Sequence, residues 1–280
     1  MKPQNLLIAL AVTTFTFSFV SCKKDASVSD ETETTFELST NQAVADNLSE
    51  DANDVLTETS VQNNFAGGRT LSPVESNNIL GCATVTVTPL QGFPKNIVID
   101  FSTGCTSANG VFRKGKINVT VSDSLRRSGS TAVMTFDNYY VSTYKVEGTL
   151  TWTNTSTGAT KSWQRKWENG KIIAADGKYW LHSGIKNVVQ TAGVGTPNNL
   201  LDDVFTITGS HTVTNAAGKT RTATVIEALE KKTICDNIDK GKVRIEGPNH
   251  YAVVDFGDGT CDRIATISID GKLERTILLR

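Results

Sequence analysis

The 280-residue sequence is poor in the groups that carry most enzymatic chemistry. Its three histidines, His182, His211 and His250, are scattered. It has no His-Glu-x-x-His, no Gly-x-Ser-x-Gly turn and no glycine-rich phosphate loop ahead of a helix. These absences remove the templates for a zinc hydrolase, a serine hydrolase and a nucleotide-phosphate site. Acid pairs such as Asp202-Asp203 read as loop residues after Asn198-Asn199. A glycosidase assembles its two carboxylates only in space, so that class stays open as a minor alternative, but catalysis is not the expected role and no cofactor is expected. Nucleic acid is not an expected partner either, because the lysines are spread out and form no basic stripe or recognisable motif.

Long apolar runs are also missing. The longest, Leu6 to Val20, is shorter than the roughly 20 residues that cross a bilayer as a helix. It follows Lys2 and ends at the small Ser21, the order of a cleaved secretory signal over residues 1–21. Phe19-Val20-Ser21-Cys22 resembles a lipobox, with Phe19 where Leu is commoner. That resemblance implies an acylated Cys22 as the new N-terminus and a lasting lipid anchor, since several acyl chains, palmitate among them, hold where one binds only marginally. Lys23 after the cysteine does not resemble an inner-membrane retention signal, and Ser29-Asp30-Glu31-Thr32-Glu33 loosely resembles surface-export signals of the Bacteroidota. The implied place is the outer membrane, on its periplasmic face or at the cell surface.

Charge is divided along the chain. Residues 22–60 hold two lysines and ten acids, whereas residues 61–280 hold 25 basic and 19 acidic side chains. The first part reads as an acidic tether over 22–79. Lys23 to about Thr40 is too polar to offset chain entropy and predicts a disordered spacer. Val44, Leu48, Val55 and Leu56 recur near helical spacing and predict one short amphipathic helix at about 41–59, either docked on the basic body or loose. Gly67-Gly68 marks a linker.

From about residue 80 the texture is β-branched and alternating, as in Thr84-Val85-Thr86-Val87-Thr88 and Thr266-Ile267-Ser268-Ile269-Asp270. The expected class is mainly β, with about a dozen strands in antiparallel hairpins and meanders forming a sandwich, a barrel or an extended sheet. The body over 80–280 also contains an echo of itself. Cys82, a strand ending Asp100-Phe101 and Cys105 match Cys235, a strand ending Asp255-Phe256 and Cys261, and Val146-Glu147-Gly148-Thr149 matches Ile207-Thr208-Gly209-Ser210. Two related units, about 80–170 and 171–280, are therefore expected.

In an antiparallel hairpin, residues equidistant from the turn face one another. The midpoint of 82 and 105 falls in Gln91-Gly92-Phe93-Pro94, and that of 235 and 261 in Gly247-Pro248-Asn249. The expected disulfides are Cys82–Cys105 and Cys235–Cys261, each worth about 2–4 kcal/mol in an oxidising compartment. A zinc site is not expected, because these cysteines form no close pairs and have no histidine nearby.

Asp255-Phe256-Gly257-Asp258-Gly259 resembles the Asp-Phe-Gly-Asp-Gly turn of PKD domains, which are immunoglobulin-like sandwiches. Its carboxylates Asp255 and Asp258, with Asp262, form a weak calcium candidate beside the plainer reading of a tight turn. The tryptophans and most tyrosines crowd between residues 139 and 180. If residues 161–167 form a strand, Lys161, Trp163, Arg165 and Trp167 share a face. With Tyr179 and Trp180, that row is either a platform for sugar rings or a ladder with Arg165 between two tryptophans. Taken whole, the Ser-Cys-Lys-Lys-Asp start, the acidic spacer and the paired Asp-Phe…Cys segments resemble β-rich lipoproteins of the Bacteroidota, a group with no established activity to transfer. The resemblance implies a membrane-anchored envelope protein that binds a glycan or another envelope protein, or serves structurally.

Overall fold

Period-two alternation resolves into fourteen antiparallel strands in a computed structural model that describes residues 23–67 and 74–279. Cys22 and the signal stretch, with Gly68, lie outside the described residues. The strands are β1 (Thr84–Thr88), β2 (Lys95–Asp100), β3 (Cys105–Thr106), β4 (Phe112–Val121), β5 (Thr131–Val141), β6 (Tyr144–Asn154), β7 (Ser162–Ile173), β8 (Tyr179–Ala192), β9 (Val204–Asn215), β10 (Thr220–Lys232), β11 (Lys240–Glu246), β12 (Tyr251–Asp258), β13 (Ile264–Ile269) and β14 (Leu273–Leu278). They pair in chain order in one sheet from β1 to β14, except that short β3 pairs with β4 beside the main path. The class is mainly β and the connections are hairpins, as the alternation implies. The sheet runs unbroken through residues 170–171, inside β7, so the two expected units share one sheet.

The single α-helix, α1 (Lys23–Gln62), spans 40 residues, about 60 Å at 1.5 Å per residue. It replaces both the expected spacer over 23–40 and the short helix at 41–59. Every residue from 42 to 56 is buried, so the sheet covers α1 on all sides there, and Thr35, Leu38 and Ser39 are already fully enclosed. Ser39, Ser49 and Thr59 return their hydroxyls to carbonyls four residues back. The helix stops at Asn64, which takes a left-handed φ of 58° while the amides of Phe65 and Ala66 donate to the Ser60 carbonyl.

The core splits around this helix. Leu38, Val44, Leu48, Val55 and Leu56 pack with the inward side chains of β2 to β8, while a second cluster joins Ala43 to β8 through β14. The outward face of the strands mixes exposed Thr86, Asn96, Lys114, Lys166, Thr222, Thr224 and Glu227 with exposed Leu181, Ile185, Ile226 and Ile264. Bulges interrupt eight of the pairings and bend the sheet about the helix. Two of the bending points are the echoed glycines. Gly148 and Gly209 have φ of 116° and 126°, and a Cβ on Gly148 would stand 2.7 Å from the Asn169 carbonyl oxygen, with Gly209 closer still to its neighbour strand.

The disulfides join Cys82 to Cys105 and Cys235 to Cys261, with Cα atoms 6.1 and 5.2 Å apart. β1 and β2 pair Thr88 with Asn96, and β11 and β12 pair Glu246 with Tyr251, so both turns fall where the cysteine midpoints place them. The Asp-Phe echo is structural too. Asp100 accepts from the Ser102 amide at 2.7 Å and Asp255 from the Gly257 amide at 2.9 Å, and Phe101 and Phe256 are both buried.

Candidate functional site

Five acids of α1 are matched one by one by cations from the strands, and four of them, Asp46, Glu50, Asp51 and Asp54, are buried. Asp51 takes two bonds from Arg113 of β4 (2.5 and 3.1 Å), Glu50 one from Arg165 of β7 (2.7 Å), and Asp54 one from Lys231 of β10 (3.0 Å). Asp46 pairs with Lys186 of β8, and Glu31 with Arg221 of β10. Desolvating such charges costs several kcal/mol per ion, which only close pairing offsets. Burial pushes the Asp54 carboxyl up to about 6 against the opposing pull of Lys231. Burial also disfavours the Arg113 guanidinium, but the charge of Asp51 outweighs it and holds that pKa above its ordinary value.

This arrangement revises the reading of the aromatic row. Lys161, Trp163, Arg165 and Trp167 do share a face of β7, but that face turns inward. Arg165 is bound to Glu50 rather than held between indoles, Trp167 stacks on Phe136 at 5.5 Å, and Trp167 and Trp180 are 2% and 4% exposed. Tyr179 alone of the five lies outward, with the Lys171 ammonium 4.7 Å from its ring centre. An open platform of the whole row is thus not formed, because the enclosed helix needs that face. Trp163 is the exception.

Trp163 lines a cavity of about 120 Å³ near the C-terminal end of α1, where β6 to β9 and the 193–205 segment close over the helix. Trp152, Phe205, Val188 and Leu200 form its apolar wall, with the Trp152 and Trp163 rings 5.4 Å apart and Phe205 edge-on to Trp163 at 5.8 Å. Asn53, Thr57, Arg126, Lys161, Gln190 and Asp203 are its polar lining. Among the described residues, no hydrogen bond or ion pair engages the Asn53 amide or the Lys161 ammonium, and the buried Trp163 Nε1–H has no acceptor. Asp203, which read as a loop acid, is 6% exposed and accepts from Gln190 at 2.7 Å; burial and neighbouring Asp202 push its carboxyl up to about 7. It is the one carboxylate in the lining, so the facing pair of a glycosidase is not assembled there. Sequence spacing could not join Asn53, Lys161 and Asp203, since only the enclosure of α1 brings them together.

Two histidines lie deeper, between Trp167 and Asp46. The His182 ring sits 4.7 Å from Trp167 and 6.2 Å from His211, whose Nδ1 is 3.4 Å from the Gln42 amide. Burial first, then the charge of Lys186 among their neighbours, lowers both to about 3. Both rings stay neutral in the folded protein and gain protons on unfolding below about pH 6.5, so stability they contribute above that pH is lost as pH falls toward 3. The raised carboxyls of Asp54 and Asp203 act oppositely, since they keep their protons when folded and favour the fold less as pH rises from about 4 to 7. Changing both histidines to glutamine is expected to abolish an acid loss of about 2 kcal/mol per ring at pH 5. Urea midpoints at pH 7 and 5 measure this, and an unchanged difference between wild type and variant refutes it.

The calcium candidate separates into three turns. Asp255, Asp258 and Asp262 each accept from the backbone amide two residues ahead, those of Gly257, Thr260 and Ile264. Among the described residues, the group of potential metal ligands within reach of one another is Cys235, Asp239 and Cys261, and its two sulfurs form the second disulfide. No protein-family model, curated protein or solved structure matches the chain.

Proposed function

We propose that the chain is an envelope lipoprotein, held on the outer membrane through acyl groups on Cys22, whose helix-filled β body binds a small ring-shaped ligand. The single observation that carries the binding role is the cavity at Trp163. It offers two indole walls and an edge-on phenyl ring together with an amide and an ammonium that no hydrogen bond or ion pair engages among the described residues. A cavity of this size is comparable to one that holds a benzene-sized ring, and aromatic faces with a few placed polar groups are the usual make-up of a small-ligand site. The lipobox-like Phe19-Val20-Ser21-Cys22 supports the anchor.

The reading is tested on the full chain purified in detergent. Titrating it with a panel of monosaccharides and ring carboxylates is expected to change tryptophan emission for at least one compound, and Trp163→Leu to abolish that response while the far-ultraviolet spectrum stays unchanged. In cells, Cys22→Ser is expected to release the protein from the membrane fraction and to end palmitate labelling. A panel without any response removes the binding role, and a membrane-bound Cys22→Ser variant removes the anchor.

A further inference from the structure

Five inward-facing cations share one kind of partner, whereas buried Lys95 spends its ammonium on the carbonyls of Pro89 and Leu90. Arg113, Arg165, Lys186, Arg221 and Lys231, all on inward faces, each meet an acid of α1. Lys161 extends the same inward row of β7, two residues before Trp163, yet among the described residues it has no acid partner and lines the cavity. Arg126, at the same cavity, spends its guanidinium on the carbonyls of Gly67 and Pro197 at 2.7 and 2.5 Å. Among the described residues, the lining therefore holds two cations against one carboxyl, that of Asp203.

Resting on the reading that this cavity takes a ring-shaped ligand, we propose that the ligand is a sugar acid, a single pyranose bearing a carboxylate, seated partly in the cavity and partly at its mouth, where half-buried Trp163 meets its ring face and half-buried Lys161 its carboxylate. Three features select this class over a plain aromatic acid. The Asn53 amide and the Thr57 hydroxyl line the cavity without a partner among the described residues and suit ring hydroxyls, which an aromatic acid lacks. The Asp203–Gln190 pair presents a further carboxyl and amide on the lining. The unmatched ammonium supplies a charge-assisted bond that a neutral sugar leaves unused. The Asp203 carboxyl stays largely protonated below about pH 7, under the influence of burial, Asp202 and Asp54 and against Arg126, so at pH 6 it can donate to the ligand instead of repelling it.

Galacturonate and galactose differ at one carbon, and calorimetric titration of the full chain with each at pH 6 separates the possibilities. Galacturonate is expected to bind at least about tenfold more tightly than galactose. Lys161→Gln is expected to erase that preference without moving the melting temperature, because the ammonium has no partner to lose. Equal binding of the two sugars, both lost in Trp163→Leu, overturns the acidic ligand and leaves the cavity reading intact. Retention of the preference in Lys161→Gln overturns the assigned cation. Binding of benzoate but of neither sugar overturns the sugar acid, and silence of all three probes overturns it together with the cavity reading.

Discussion

A chain that begins at Phe65, lacking α1, is expected not to fold, and a separate peptide of residues 23–62 is expected to restore the sheet when added in trans. The first half of this expectation follows from what the helix neutralises. Without it Arg113, Arg165, Lys186 and Lys231 remain on the inner face with no acids, and an uncompensated buried charge costs about 3–5 kcal/mol. Four such costs reach or exceed the roughly 5–15 kcal/mol of net stability of an ordinary domain, before counting the apolar surface that Leu38, Val44, Leu48, Val55 and Leu56 cover. The second half follows from the form of the contact. α1 enters the sheet as one continuous segment held by side chains, and Glu75, beyond it, pairs with Asn199 in an isolated bridge. Far-ultraviolet spectra and amide exchange of the truncated chain, with and without peptide, provide the measurement. A cooperative thermal transition in the truncated chain alone refutes the scaffold role of α1.

Asp51→Ala is expected to destabilise the intact protein by about 3–5 kcal/mol, the cost of leaving a buried charge unpaired. The Arg113 side chain is 1% exposed, it donates both of its charged bonds to Asp51, and it donates a further one to Ser107 at 2.9 Å. The Tyr139 hydroxyl also donates to Asp51, at 3.2 Å, and loses that acceptor. Arg113 cannot escape by shedding its proton, because a guanidinium keeps it throughout the accessible pH range. In a chain of this length the change lowers the melting temperature by roughly 10 °C. Replacing both partners, Asp51→Leu with Arg113→Met, removes the charges together and is expected to recover most of the loss. Urea unfolding of the single and double variants measures both effects. A double variant no better than Asp51→Ala shows that the pair is needed for packing rather than for charge compensation.

The strands were legible because their side chains obey a local rule. Thr-Val-Thr-Val-Thr at β1 can bury only its valines, and a cysteine pair centred on a proline-containing turn can close only that hairpin. The helix misled for an equally physical reason. Val44, Leu48, Val55 and Leu56 mark one face, and the acids at 46, 50, 51 and 54 on the other faces read as solvated, which is their usual place. Two signals contradicted that reading. One was the division of charge between an acidic first segment and a basic remainder, which is the complementarity of a rod and its socket. The other was parity: Arg165 keeps step with Trp163 and Trp167, Arg221 with Ala223, and Lys231 with Leu229, so these cations sit on the apolar side of their strands. The cavity had no comparable signal, since Asn53 and Asp203 are 150 positions apart in the sequence and meet only because α1 lies inside the sheet.

Enclosure of α1 also determines how the protein bears mechanical load. A pull at Lys23 travels along a helix whose acids are clasped by β4, β7, β8 and β10 and whose apolar residues are packed from β2 onward. Such a force is borne in shear by many bonds at once, whereas a pull at the other end of the chain reaches edge strand β14 and opens its ladder one pair after another. The molecule therefore resists a pull along α1 in shear and opens strand by strand from β14.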